Sequence, residues 1–240
     1  MNKKVRLYFS EKIHSDLVAH LQKEQSHYLK DVMRLKIGDT FSVFNNQGEW
    51  SASIQDYEKQ TTKIKILEKL RDKKNEKNIW LAFTPIKQNP LNFIIQKGTE
   101  LGVQKFIPIL SERTIVKDIN IERVKKITIE SSEQSNRISV PKITKLETLN
   151  FFLSSFPKKG CLVFCDINCN KNDLKTILSK KDLDPVCILV GPEGDFSENE
   201  RNLIINLKQS QSISLAKNIL RTETAAIAAV TLVNHYLNFS

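Results

Sequence analysis

Two neighbouring segments near the C-terminus constrain the fold of this chain most strongly. The first runs from an apolar stretch at 186–190 through Gly191-Pro192-Glu193-Gly194 into a helix, for which Ser197 and Glu200 form a capping box. The second, at residues 213–226, also passes from a short apolar strand through a polar turn into a helix. Parallel α/β sheets bind ligands at the carboxyl ends of their strands, where such turns lie. The two segments therefore predict a ligand-binding crevice.

The chain from residue 79 onwards alternates apolar strands with amphipathic helices, which predicts βαβ units and a parallel sheet. Its strands are continuous apolar runs, of the kind that is buried on both faces. The predicted strands are 79–83, 106–110, 161–165 and 186–190, and the predicted helices are 91–101, 121–135, 174–178 and 222 to about 233.

The N-terminal part has a different pattern. Residues 5–70 contain several short alternating strands separated by turns, which predicts a small sheet or barrel, with one helical stretch at 27–34. The polar charged run at 71–78 predicts a linker. The sequence therefore predicts two domains, a small β-domain at 1–72 and an α/β domain at 73–240.

Positive charge is concentrated outside the two turn segments. The chain has 37 Lys and Arg against 27 Asp and Glu, a net charge of +10. Residues 73–160 carry 16 basic and 8 acidic side chains, whereas residues 161–240 carry 8 and 9. A basic region beside a nearly neutral crevice is typical of an enzyme that binds a polyanion on one surface and reacts in another. A basic surface that serves solubility alone is the other explanation, and it stays open.

Common cofactor and metal motifs do not fit these residues. The turn at 191–194 lacks the Gly-Lys-Ser/Thr ending of a P-loop and the spacing of a dinucleotide fingerprint, although an ordinary strand-to-helix connection stays open. Cys161, Cys165 and Cys169 lack the spacing of a zinc site, and the first two bracket a buried strand, so we expect no metal. Four cysteines, no signal core and no apolar run of about 18 residues predict a reduced, cytoplasmic protein without a membrane segment.

The second segment places Arg221 directly before Thr222-Glu223-Thr224, which opens an Ala-rich helix. Thr222 is a predicted N-cap, and Glu223 suits the helix dipole as a first-turn acid. No helix rule requires an arginine at this end, so Arg221 is predicted to orient an anion or stabilise developing negative charge. For Glu223, a capping charge and a chemical role both stay open.

Taken together, these stretches resemble a known family. Residues 189–194 and 220–225 closely resemble the RsmE-type methyltransferases of bacterial 16S ribosomal RNA, which belong to the SPOUT superfamily. Three further stretches agree in the same order along nearly the whole chain, namely 34–39, 97–103 and 133–137. Each stretch alone is a weak signal, and five in order are a strong one.

The resemblance implies a specific fold and activity. It implies a PUA-like RNA-binding β-barrel at 1–72, followed at 73–240 by an α/β domain tied in a trefoil knot, although knots are too rare to be derived from sequence patterns. It also implies a homodimer that transfers a methyl group from S-adenosylmethionine to N3 of one uridine in 16S ribosomal RNA of the small ribosomal subunit. Two alternatives stay open: another RNA target, such as tRNA or a ribose 2′-hydroxyl, and a non-catalytic ribosome assembly factor.

The resemblance also implies roles for individual residues. Arg221 and Glu223 fall at the reactive end of the site. Phe164, at the end of an earlier strand, falls on the adenosine side of the cofactor pocket, and the remaining pocket residues are Val190, Gly191, Glu193, Gly194, Leu215, Ala216, Ile219, Leu220 and Thr222. Contacts to RNA are expected from Arg6, Arg34, Gln134, Arg137 and Lys217.

The chain departs from the family pattern at two positions of the predicted pocket. Asp195 stands where the family often has a third glycine, which leaves the backbone of the first loop open. Ala216-Lys217-Asn218 replaces the commoner Gly-x-Arg, so an expected arginine is missing while Lys217 keeps a cation close.

Overall fold

The computed structural model describes residues 5–170, 173–179 and 183–239, which divide into two compact units. The first unit contains residues up to 75 together with 132–140, and the second contains 76–131 and the residues from 141 onwards. The predicted division at 72/73 stays a prediction, and it did not include the return of 132–140 to the first unit. Among the described helices, none is long and apolar enough to cross a membrane.

The first unit is built on a five-stranded sheet. Its strands are β1 (Arg6–Tyr8), β2 (Val18–Leu21), β3 (Thr40–Asn45), β4 (Gly48–Tyr57) and β5 (Thr62–Asp72), in the spatial order β1-β3-β4-β5-β2. Strand β1 pairs with β3 in parallel, and the other pairs are antiparallel. The alternating apolar side chains of these strands form one core, which includes Leu7, Phe41, Val43, Ile54 and Ile64. The predicted small β-domain is thus present.

Two predicted elements of this unit were wrong in detail. The helical stretch begins earlier than residue 27, as helix α1 (Lys23–His27), and continues as a single π-helical turn at Tyr28–Val32. Strand β5 extends to Asp72, into the predicted linker, because Arg71 pairs with Glu49 of β4 both in the ladder and through its side chain.

The second unit is an α/β domain with an entirely parallel sheet. Its strands occur in the order β12-β10-β11-β6-β7-β8, with β9 also pairing with β7. The strands are β6 (Ile79–Phe83), β7 (Lys105–Leu110), β8 (Lys142–Ile143), β9 (Glu147–Thr148), β10 (Cys161–Cys165), β11 (Val186–Val190) and β12 (Ser210–Ile213). The helices are α2 (Gln88–Glu100), α3 (Ile121–Gln134, whose last three residues belong to the first unit), α4 (Leu149–Ser155), α5 (Leu174–Leu178), α6 (Glu198–Asn206) and α7 (Thr222–Phe239).

The side chains of β11 illustrate how this sheet is buried on both faces. Val186, Ile188 and Val190 join the core that α2, α5 and α7 cover, whereas Cys187 and Leu189 join the opposite core, beneath α4 and α6. The continuous apolar runs in the sequence reflect this double burial. The predicted α/β class with a parallel sheet is therefore confirmed.

Helix α7 is longer than the sequence predicts. It continues past Val233 to Phe239 because Tyr236 and Leu237 still pack, partly buried, against the core. Helix α4 and the two-residue strands β8 and β9 were not predicted.

Candidate cofactor site

A cavity lies at the carboxyl ends of β10, β11 and β12, where the sequence predicts the crevice. Its volume is about 120 Å³. Three loops supply its walls, so residues far apart in sequence meet here. Its lining consists of Cys165, Asp166, Ile167, Val190, Gly191, Pro192, Glu193, Asp195, Ser214, Leu215, Ala216, Lys217, Asn218, Ile219, Leu220, Thr222 and Ala225.

The first loop, between β11 and α6, is a tight turn. The backbone N–H of Asp195 donates to the carbonyl of Pro192 over 3.0 Å, and Asp195 adopts a left-handed φ of 57°. This conformation costs most residues energy, but aspartate tolerates it when its side chain bonds locally. Here the Asp195 carboxylate accepts a 2.8 Å hydrogen bond from the N–H of Phe196. This hydrogen bond stabilises the left-handed conformation of Asp195.

The start of the first loop packs tightly against an aromatic ring. A Cβ atom added at Gly191 would lie 3.0 Å from Cε2 and 3.1 Å from Cδ2 of Phe196, so a side chain at 191 would displace the ring. The Phe196 ring in turn meets the ring of Phe164 edge-on, with centroids 5.7 Å apart. Phe164 is fully buried beneath the loop and lies outside the cavity lining.

The loop after β7 holds the first loop from the other side. Arg113 Nη1 donates to the carbonyl of Gly194 over 2.8 Å, and the N–H of Glu112 donates to Glu200 Oε1 over 2.8 Å. Ser197 and Glu200 form the predicted capping box of α6, which is confirmed. Gly194 itself lies outside the cavity lining. Sequence reasoning missed Glu112 and Arg113, since no motif marks them.

The second loop offers backbone donors to a ligand. Within the described residues, the N–H groups of 215–220 donate no hydrogen bond to the protein. Such groups are obligatory donors, so a bound molecule or solvent must accept from them. The same loop contributes the apolar side chains of Leu215, Ile219 and Leu220 to the lining, and Ile219 is 85% exposed. Free donors beside apolar side chains suit a ring system with nitrogen acceptors, such as adenine.

Thr222 does not cap helix α7 as predicted. The helix already begins at Thr222, and the N–H of Ala225 donates to the carbonyl of Arg221 over 2.8 Å, which makes Arg221 the N-cap. The hydroxyl of Thr222 donates instead to the carbonyl of Gly191 over 3.2 Å. The predicted cap was one residue too late, because the carbonyl of Arg221 already accepts the first hydrogen bond of the helix.

An ion pair that the sequence analysis missed forms the wall beside β10. Asp166 is 2% exposed and lines the cavity, and its carboxylate accepts from Arg201 Nη2 at 2.8 Å and from Nε at 3.1 Å. The hydrogen bond to Asp166 raises the pKa of the Arg201 guanidinium. A carboxylate directly after a buried strand was the available signal for Asp166, because strand ends face the crevice.

Cys165 lines the cavity as a neutral thiol. Burial raises its pKa to about 12, so it is protonated at neutral pH and is a poor nucleophile. Cys161 and Cys165 lie in the strand β10 as predicted. No cluster of three or more His, Cys, Asp or Glu residues in the described ranges could hold a metal ion.

Comparison with known proteins accounts for both units. The model of an RNA methyltransferase domain matches residues 73–234, and the model of an RNA methyltransferase PUA domain matches residues 21–67. The chain belongs to this RNA methyltransferase family.

Individual relatives resemble nearly the whole chain. Ribosomal RNA small subunit methyltransferase E of Rickettsia conorii is 34% identical over 231 residues, which cover 95% of this chain and 94% of that protein. The enzyme of the same name from Neisseria gonorrhoeae, solved bound to S-adenosylmethionine, superposes with a TM-score of 0.87 at 28% identity, covering 99% and 100% of the two chains. A putative methyltransferase of Legionella pneumophila, with S-adenosylmethionine bound, gives 0.86 at 25% identity over 96% of each chain. The expected SPOUT-type domain after a PUA-like domain is confirmed.

The structure of this family member brings most of the predicted pocket residues together. The cavity lining includes Val190, Gly191, Glu193, Leu215, Ala216, Ile219, Leu220 and Thr222, and it also includes Lys217, which was predicted for RNA. Phe164 and Gly194 lie outside this lining and support the first loop instead. Arg221 is exposed and Glu223 is half-buried, on either side of Thr222 and also outside the lining.

Two of the arginines predicted for RNA have structural partners in the first unit. The Arg6 side chain is 9% exposed and donates to Glu49 at 2.9 Å and to the carbonyls of Ser132, Glu133 and Arg137 at 2.7–3.1 Å. Arg137 is 8% exposed and donates to the hydroxyl of Ser139 over 2.8 Å. Both side chains are therefore buried against the protein, and contact of these two guanidinium groups with RNA stays a prediction. Arg34 and Gln134 are exposed.

Proposed function

We propose that this protein is an S-adenosylmethionine-dependent methyltransferase that modifies N3 of a uridine in 16S ribosomal RNA of the small subunit. The observation that carries the proposal is the cavity that three loops line together, with the backbone N–H donors of 215–220 on one wall. The family membership and the names of the relatives agree with it. In the same proposal the protein is a homodimer in the cytoplasm, as the resemblance implies.

The residues of the cavity fit S-adenosylmethionine. In this proposal the backbone N–H groups of the second loop donate to the ring nitrogens of adenine. The apolar side chains of Leu215, Ile219 and Leu220 pack against the faces of the ring. When bound, the cofactor supplies a methyl group that its sulfonium already activates, so the protein needs mainly to hold the two reactants in line. Gly191 and Thr222 fix the relative position of the two loops for this purpose.

Arg221 and Glu223 act on the base. Uracil N3 carries a proton and becomes nucleophilic only when that proton is lost. We assign Glu223 as the acceptor of the proton and Arg221 as the cation that stabilises negative charge on the ring oxygens. Both residues flank the lining residue Thr222 at the start of α7, close to the cavity and accessible from solvent.

The RNA must present an unpaired or flipped uridine, because N3 is hidden in a paired base. Lys217, at the cavity mouth, is placed to bind a phosphate next to that nucleotide. Exposed Arg34 and Gln134 of the first unit are the remaining predicted contacts to RNA. Lys217 takes the place of the missing family arginine in this proposal.

Arg221→Ala and Arg221→Lys test the proposal, with Arg123→Ala, an exposed arginine of α3, as the matched control. Small subunits from a strain lacking the enzyme are incubated with each variant, and the modified base is mapped by mass spectrometry. We expect Arg221→Ala to lose about 100-fold or more in rate while cofactor affinity by titration calorimetry stays within about 3-fold, as for loss of one oxyanion donor.

Three outcomes would contradict the proposal in different ways. Full methylation by Arg221→Ala would show that Arg221 is not required for the reaction. A methyl group found on a ribose 2′-hydroxyl or on tRNA would show that uridine N3 of 16S RNA is not the target. No binding of S-adenosylmethionine by the wild-type protein would favour a non-catalytic assembly factor.

A further inference from the structure

A second cavity opens at the opposite end of the parallel sheet from the candidate cofactor site. Its volume is about 720 Å³. Cys161, the first residue of β10, lines this second cavity, and Cys165, the last residue of the same strand, lines the first. Four residue steps along a strand cover about 13 Å, so the two cavities lie about that distance apart along β10. The lining consists of Lys158, Lys159, Gly160, Cys161, Ile177, Leu183, Lys208, Gln209 and Gln211.

Two turns bring the three lysines of this cavity together. The first turn closes through a 2.9 Å hydrogen bond from the N–H of Gly160 to the carbonyl of Pro157 and carries Lys158 and Lys159. The second closes through a 2.8 Å bond from Ser210 to Leu207 and carries Lys208. Each turn leads into one of the paired parallel strands β10 and β12, and adjacent strands lie about 4.8 Å apart. We name Lys158, Lys159 and Lys208 the lysine cluster.

The first turn has little freedom to move its lysines apart. A Cβ atom at Gly160 would lie 2.8 Å from Cε1 of Phe156, so the backbone packs directly on that ring. The N–H of Asp184 also donates to the carbonyl of Lys159 over 3.2 Å. These contacts fix the backbone that carries Lys158 and Lys159.

Among the described residues that line this cavity, none is acidic. The lining contains three ammonium groups and no carboxylate, and within the described ranges none of the three lysines forms an ion pair. The nearby Asp184 carboxylate instead accepts a 2.7 Å hydrogen bond from Asn78. Three positive charges that line one cavity make its electrostatic potential positive, which favours a bound anion. Gln209 and Gln211 add amide donors to the same cavity.

We propose that the lysine cluster binds the phosphate backbone of the RNA substrate, away from the reacting nucleotide. This inference rests on the proposed function, which supplies a polyanion long enough to reach both cavities. Lysine binds phosphate as a compact charge with three donors, without sequence preference. The cluster therefore contributes affinity and orientation, while the cofactor cavity selects the base.

The test compares three triple variants of the full-length protein. The first replaces Lys158, Lys159 and Lys208 by alanine, and the second replaces them by arginine. The third replaces exposed lysines elsewhere in the same unit by alanine, at Lys87, Lys126 and Lys145, and so matches the change in net charge. Binding of a labelled 16S RNA fragment is measured over a series of KCl concentrations, and binding of S-adenosylmethionine is measured by titration calorimetry.

Each phosphate contact on single-stranded RNA contributes about 0.7 to the slope of log affinity against log salt. We therefore expect the alanine triple, which removes three contacts, to reduce the magnitude of this slope by about 2. We also expect it to leave cofactor affinity unchanged, and the arginine triple to retain the wild-type slope. An alanine triple that behaves like wild type or like the charge-matched control would overturn the inference and leave the proposed function intact. Wild-type protein that binds S-adenosylmethionine but not RNA would overturn both. If inorganic phosphate protects the lysine cluster from acetylation and RNA does not, the cluster is a site for small anions. That result would overturn the assignment to RNA.

Discussion

The hydroxyl of Thr222 donates a hydrogen bond to the carbonyl of Gly191 over 3.2 Å, and this bond joins the two loops of the candidate cofactor site. Thr222 is 4% exposed, so solvent cannot easily replace it as a partner. The bond fixes the first turn of α7 against the end of β11. The width of the cavity therefore depends on a contact between residues that are 31 positions apart.

Thr222→Val keeps the shape of the side chain and removes this donor. We expect a loss of about 1 kcal/mol in unfolding free energy and a roughly 5- to 10-fold weaker affinity for S-adenosylmethionine, because a buried carbonyl loses its partner. Urea denaturation and titration calorimetry measure the two quantities. Thr222→Ser retains the hydroxyl and is the control, and equal affinities for the valine and serine variants would contradict the role of the bond.

Gly191 and Gly194 offer a matched pair of alanine substitutions in one loop. Gly191→Ala brings Cβ to 3.0 Å from the Phe196 ring, whereas at Gly194 the nearest atoms are carbons of Arg113 at 3.8 Å. We expect Gly191→Ala to cost about 1–3 kcal/mol of stability and to weaken cofactor binding, since the ring must move in a packed core. Gly194→Ala should change either quantity little. A Gly191→Ala protein as stable as Gly194→Ala would show that the loop absorbs the methyl group.

Asp166→Asn removes the negative charge that Arg201 faces at the cavity wall. Asp166 is buried while the Arg201 side chain is 29% exposed, so the cation can recover part of its hydration. We expect about 1–3 kcal/mol of destabilisation, consistent with loss of hydrogen bonds to a charged group, and weaker cofactor binding. Glu122→Gln, which breaks an exposed pair with Lys125, should cost under about 1 kcal/mol. Equal effects of the two substitutions would contradict a special role for the buried pair.

The carboxylate of Glu49 makes the first unit less stable as the pH becomes acidic. Burial acts to raise its pKa, but the hydrogen bonds and charges of Arg6 and Arg71 outweigh burial and lower the pKa below the ordinary 4.5. The unfolded chain then binds more protons in this range, so stability is full above about pH 4.5 and falls as pH drops below it. Chemical denaturation across that range should give a steeper decline for wild type than for Glu49→Gln.

The control for this pH dependence is Glu24→Gln, at an exposed site of α1 in the same unit. It should keep the wild-type decline. Parallel curves for wild type and Glu49→Gln would mean that other carboxylates carry the acid sensitivity. Glu49→Gln should also lower stability at neutral pH, because Arg6 would lose its buried counter-ion.

Local patterns predicted the elements that depend on local energetics. The apolar runs of β6, β10 and β11 and the capping box of α6 were read correctly, because double burial and helix capping leave direct traces in neighbouring residues. Short β8 and β9 were missed, since two residues have no measurable periodicity. The start of α7 was predicted correctly, but its N-cap was placed one residue too late, because the carbonyl of Arg221 already accepts from the N–H of Ala225.

Two strand–turn–helix segments, and a family resemblance carried by five ordered stretches, could be predicted from the residues alone. Only the tertiary structure decided that Asp166 and Arg201 meet at the cavity wall, that Asp195 holds a left-handed turn, and that Arg6 is buried. It also decided that the lysine cluster forms from two turns that precede adjacent strands. Burial, hydrogen bonding and charge pairing between distant residues depend on which strands become neighbours. Local sequence patterns do not predict that strand order, because they report only on residues close together in the chain.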